Sequence, residues 1–81
     1  MQARAITRLS KAWASEVARF PAGRLHWRVA STWIEQSCGT YCAEFTHVST
    51  GKSRLVRLSP DVHESAETRH AEIVQRLTCE P

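Results

Sequence analysis

The chain has 81 residues, 11 of them Lys or Arg and 8 Asp or Glu, for a formal net charge of +3 at pH 7. Hydrophobic residues make up 42% and charged residues 23%, proportions of a globular domain that exclude a disordered tail, a collagen-like chain and a coiled coil. A domain of this length buries only about 60–65% of its unfolded surface, so the core is thin and a two-domain enzyme with a deep cleft is excluded.

The first predicted element is a helix over about residues 3–20. Ile6, Leu9, Trp13, Val17 and Phe20 recur at steps of three and four and form one apolar stripe. Arg4, Arg8, Lys11, Ser15 and Arg19 recur in the same way on the opposite side. Pro21 and Gly23 end the helix, because proline cannot continue its hydrogen-bond ladder.

From Arg24 the period changes to two, which predicts a strand over about residues 24–36. Leu25, Trp27, Val29, Ser31 and Trp33 share one face, and His26, Arg28, Ala30, Thr32 and Ile34 the other. A turn at Ser37–Thr40 leads to a second strand over about residues 40–49. A turn at Thr50-Gly51 leads to a third over about residues 53–59. A two-residue Thr50-Gly51 loop pairs Phe45 with Val56 and Glu44 with Arg57, and a three-residue Cys38–Thr40 loop pairs Trp33 with Phe45. That register places the large apolar residues of all three strands on one face. It leaves Ile34, Val48, Leu55 and Arg57 on an open face, whose mix of apolar and Arg residues suits a protein interface.

Ser59 and Pro60 read as an N-cap and first helical residue, opening a second helix over about residues 60–77. Val62, Ala66, His70, Ile73 and Leu77 form its apolar stripe. The expected fold is thus a single α+β domain in the order α-β-β-β-α. Two helices pack on one face of a three-stranded antiparallel meander.

The charge is unevenly spread. Residues 1–59 hold nine basic residues against three acids, and residues 60–81 two against five. The candidate basic patch comprises Arg4, Arg8, Lys11, Arg19, Arg24, Arg28, Lys52 and Arg54. It favours an anionic partner through long-range attraction. A solvated helix face that keeps a small protein in solution explains part of the same stripe.

No motif identifies a reaction. Cys38-x-x-x-Cys42 has the spacing of half a zinc site. His47 and Cys42 fall on opposite faces of one strand, so the expectation is no metal and no cofactor. Gly51-Lys52-Ser53 ends like a phosphate-binding loop, but Thr46 stands where the pattern needs glycine and a strand follows where it needs a helix. His26, His47, His63 and His70 join no nucleophile or ligand motif, and His70 lies on an apolar stripe as a core histidine would. Trp13 and Trp33 fit the core, while Trp27 near a strand end is expected to be partly exposed. An enzyme is therefore not expected. No apolar run approaches the roughly 18 residues of a membrane span, and the N-terminal segment lacks a signal peptide's apolar stretch, so a cytoplasmic protein is expected. Three cysteines, Cys38, Cys42 and Cys79, are an odd number without a secretion signal, which argues against a disulfide framework and leaves open a short-loop or intermolecular link under oxidation.

The α-β-β-β-α order resembles the double-stranded RNA-binding domain, which grips phosphates with a lysine-rich start of its second helix. The matching stretch here, Ser59-Pro60-Asp61-Val62-His63-Glu64, is acidic, so the resemblance is one of topology. In its small size, α/β layout, charge-biased surface and lack of a catalytic constellation, the whole chain also resembles the anti-CRISPR proteins of phages and mobile elements. That resemblance implies a host bacterial cytoplasm and a non-enzymatic inhibitor that docks on a CRISPR effector complex, blocking target DNA binding or cleavage. A basic surface would argue against DNA mimicry, which needs an acidic one, and favour docking on an acidic protein surface or guide RNA. The competing expectation is a small nucleic-acid-binding module using the basic helix and hairpin tip. A third is a homodimer through the open sheet face.

Overall fold

The computed structural model describes residues 2–78, with side chains from Lys11 onward. The order is α1 (Gln2–Arg19), a 3-10 turn (Ala22–Leu25), β1 (Trp27–Ile34), β2 (Tyr41–His47), β3 (Ser53–Leu58) and α2 (Ala66–Thr78). The strands form an antiparallel meander in the order β1-β2-β3, as the periodicity predicts. Among the described residues, no helix is long and apolar enough to cross a membrane. The predicted positions of Ile6, Leu9, Arg4 and Arg8 on α1, and of Cys79, lie outside the described side chains.

Both helices cover one face of the sheet. Trp13, Val17 and Phe20 of α1 and Ile73 and Leu77 of α2 pack on Ala43, Phe45, Val56 and Leu58 in one core. Two indole N–H groups are satisfied by backbone. Trp13 Nε1 donates to the Cys42 carbonyl at 2.7 Å, and Trp27 Nε1 donates to the Leu77 carbonyl at 3.1 Å. The helices are joined by Arg69, whose Nε and Nη2 donate to the two Glu16 carboxylate oxygens at 2.8 and 2.7 Å. Arg69 Nη1 also donates to the His63 carbonyl, and its guanidinium lies over the Tyr41 ring.

Both hairpin registers differ from the expected ones, for a shared reason. Each loop has four residues, closed by Glu35 and Thr40 in the first hairpin and by His47 and Lys52 in the second. In each, a glycine with positive φ, Gly39 at 72° or Gly51 at 76°, donates its N–H to the carbonyl of the first closing residue. Only glycine takes that left-handed conformation without steric cost, so the two glycines set the loop length. In the second hairpin the consequence is a slip of two residues. Phe45 faces Arg54 and Ala43 faces Val56, and the apolar residues keep their side of the sheet. The expected Glu44–Arg57 pair is replaced by Glu44 opposite Leu55 and Arg57 opposite Cys42.

In the first hairpin the error is odd, and faces exchange. Val29 faces Phe45 but Ser31 faces Glu44, so a β-bulge removes Ala30 from the pairing and reverses the alternation. Beyond it Ile34 turns into the core, while Trp33 turns out beside Cys42 and is 36% exposed. The expected assignments of Trp33 to the core and Ile34 to the open face are therefore exchanged. Trp27, before the bulge, is buried on the inward face where the alternation places it.

The predicted start of β1 at Arg24 is also displaced. His26 sits at φ 66°, and its N–H closes the 3-10 turn on the carbonyls of Ala22 and Gly23. Extension begins only at Trp27. The second helix begins six residues after the expected start. Ser59 Oγ accepts from the Asp61 N–H, and a single turn closes between His63 N–H and the Ser59 carbonyl without propagating. The N-cap is Ser65, in a reciprocal capping box. Its Oγ accepts from Thr68 N–H at 3.1 Å, and Thr68 Oγ1 accepts from Ser65 N–H at 3.2 Å. Val62 consequently lies in an exposed loop rather than on an apolar stripe.

Candidate docking site at the cationic end

The structure divides the predicted basic patch into engaged and unengaged side chains. Arg54 is engaged. It pairs with Phe45 on the helix-covered face, donates from Nη1 to the Arg76 carbonyl at 2.6 Å and lies over the Trp27 ring. The last carbonyls of a helix have no intrahelical donor, so Arg54 and Trp27 together satisfy the C-terminal turn of α2. Arg54 is thus a structural cation, not part of an outward patch. Arg57, assigned to the open face, is exposed but forked onto Glu35 at 2.6 and 2.7 Å. This contact holds the Glu35 carboxyl below the usual carboxylate range.

Lys11, Arg19, Arg24, Arg28 and Lys52 are exposed. None of their side chains is paired with a carboxylate among the described residues. Four of them converge on one end of the molecule. Arg19 ends α1, Arg24 is in the 3-10 turn, Arg28 is at the start of β1, and Lys52 closes the second hairpin opposite His47. That hairpin is fastened to the same end by the Val48 N–H, which donates to the His26 carbonyl at 2.9 Å. His47 fixes the loop from inside. Its Nδ1 accepts from the N–H groups of Ser49 and Thr50, and its ring meets Trp27 edge-on at 5.0 Å.

At this end lies a cleft of about 330 Å³ lined by Val17, Ala18, Phe20, Ala22, Gly23, Trp27, Arg28, Val29 and Val48. Among the described residues, no acidic side chain lines it. Val48, assigned to the open sheet face by alternation, is a hairpin residue on the rim of this cleft and is 61% exposed. Sequence reading missed the cleft because it depends on the positive φ of His26 and on the docking of a loop onto a turn. Neither leaves a periodic signal.

The remaining open-face residues form a different surface. Leu55 is 49% exposed and faces Glu44 across the sheet, and Ile34 is buried in the core. Cys42 is buried beneath its neighbours Trp33 and Arg57, and burial pushes its thiol pKa up. Cys38 is exposed, with its Sγ 2.9 Å from Thr40 Oγ1. Among the described residues, no group of three His, Cys, Asp or Glu side chains is arranged to hold a metal ion. His63 and His70 are built into the helix packing. His63 Nε2 lies 3.7 Å from Glu72, and His70 lies beside Phe20 with its Nε2 3.7 Å from Glu16. No family model, curated protein or solved structure matches the chain.

Proposed function

We propose that the protein is a non-enzymatic binding protein of the bacterial cytoplasm that docks on a CRISPR effector complex and blocks target DNA binding or cleavage. The observation that carries this reading is the convergence of Arg19, Arg24, Arg28 and Lys52, exposed and without carboxylate partners among the described residues, on one end of the fold. A nucleoprotein complex offers acidic protein surface and guide-RNA phosphate, and both attract such an end. The sign of the surface is opposite to that of a DNA mimic.

The test is a panel of purified guide-loaded effector complexes, each mixed with the protein and assayed for co-elution, target-DNA binding and cleavage. Co-elution with one of them and loss of target binding or cleavage is the expected result. Unchanged elution and unchanged target binding across the panel would sink the reading. The exposure of the same guanidinium groups favours a second reading, a small nucleic-acid-binding module. Several phosphate contacts would then give affinity that falls steeply from low to moderate salt. Absence of any mobility shift of single- or double-stranded DNA or RNA at low salt eliminates that alternative.

A further inference from the structure

The cationic end is not a flat basic surface, and its centre indicates what kind of segment it takes. The cleft between α1, the 3-10 turn, β1 and the second hairpin has walls of Val17, Phe20, Ala22, Trp27 and Val48. We infer that this cleft receives an extended acidic peptide segment of a partner protein, with one apolar side chain inserted between Val48 and the 3-10 turn. The inference rests on the reading that the cationic end is the docking surface, and it names the partner chemistry of that surface.

Three observations converge. The first is charge complementarity. Arg28 lines the cleft, and Ala18 and Gly23 on its wall are the chain neighbours of Arg19 and Arg24. A ligand seated there is flanked by guanidinium groups that the described residues leave without carboxylates. The second is the apolar interior. A volume of about 330 Å³ is small for a binding pocket and suits one or two side chains, the geometry of an anchor residue. The third is the position of β1 at the sheet edge, pairing with β2 alone. An edge strand leaves a row of peptide groups unused by the sheet, and an extended segment is the ligand that can use them. Nucleic acid fits less well. Unpaired bases stack on exposed aromatic platforms, and here the exposed tryptophan, Trp33, lies beyond the bulge beside Cys42, two residues before Glu35.

The experiment titrates the full chain with a fluorescein-labelled peptide of Glu residues flanking a central Leu-Leu pair. A matched peptide carrying Ser-Ser at the centre serves as control. Saturable binding of the Leu-Leu peptide, at least about tenfold tighter than the control, is expected. Val48→Asp and the pair Arg24→Glu with Arg28→Glu should each weaken it by at least about tenfold. Val62→Asp adds the same charge in an exposed loop outside the cleft and should leave it unchanged. Circular dichroism checks that each variant is folded. Equal affinity for the two peptides, or equal loss in Val48→Asp and Val62→Asp, would overturn the inference. So would tighter binding of an oligonucleotide lost in the same variants. The effector assay separates this inference from the functional reading beneath it. Full inhibition by Val48→Asp overturns the cleft and leaves the inhibitor standing. Peptide binding without inhibition of any complex upholds the cleft and removes the inhibitor.

Discussion

Two cysteines four positions apart illustrate how completely environment sets residue chemistry. Cys42 has no solvent exposure and its thiol is pushed above the ordinary range, chiefly by burial, whereas Cys38 sits exposed in the first hairpin loop. Thiolate is the reactive form, so Cys38 should react quickly with a thiol reagent and Cys42 only as the protein unfolds. Labelling of a Cys79→Ser variant, read by mass spectrometry in native buffer and in denaturant, should give one fast site and then two. Arg69 is the other decisive residue. It is 9% exposed and forks onto Glu16 from the second helix. Removing one member of such a pair strands the other without its counter-charge, so Arg69→Met should cost about 3 kcal/mol. Adding Glu16→Gln should recover part of that loss, and a double-mutant cycle by urea denaturation measures the coupling. Neither role was legible in the sequence. Residues 16 and 69 are joined only when α1 and α2 lie side by side, and no local pattern reports that.

The elements themselves were largely visible, because α1, the strands and most of α2 carry the periods that burial on one face demands. What was not visible is how they begin, end and align. The glycines at 39 and 51 adopt φ of 72° and 76° in loops of one design, and these loops decide which residues of adjacent strands meet. Gly39→Ala and Gly51→Ala should each cost about 1–2 kcal/mol, the penalty of a left-handed conformation for an L side chain. Steric space does not add to it. A Cβ at Gly39 would meet Pro60 at 3.9 Å, an ordinary contact, and one at Gly51 would meet nothing within 4 Å. Near-equal falls in the denaturation midpoints of the two variants would check this. The bulge in β1 was equally hidden. Strict alternation through Ala30 puts Trp33 inward, and one extra residue puts Ile34 there instead. The start of α2 followed the same logic. Ser59-Pro60 and Ser65 both carry helix-opening chemistry, and only Ser65 has a reciprocal partner, in Thr68.

At the scale of the whole molecule, charge is sorted by use. Arg54, Arg57, Arg69 and Arg76 are each bound to a carbonyl or a carboxylate of the fold, while Arg19, Arg24 and Arg28 are exposed and, among the described residues, have no carboxylate partner. The Glu35–Arg57 fork predicts a pH dependence. A carboxyl whose pKa is lowered by folding contributes stability that is present above its unfolded pKa and lost as pH falls through the folded value. Wild type should therefore exceed Glu35→Gln in thermal midpoint near neutral pH, and the gap should close as the pH falls below the usual carboxylate range. The gap should also shrink with added salt, since the pair is open to water. The sequence by itself determined the fold class, the strand and helix order, most of the core and the excess of positive charge in its first 59 residues. Those properties follow from short-range periodicity and counting. The tertiary structure alone decided the registers, the exchange of Trp33 for Ile34, the withdrawal of Arg54 onto α2 and the apolar cleft that Arg28 lines at the end of the fold. Each of these depends on a loop conformation or a contact between segments far apart in the chain, where a single left-handed residue or one bulge redirects every side chain beyond it.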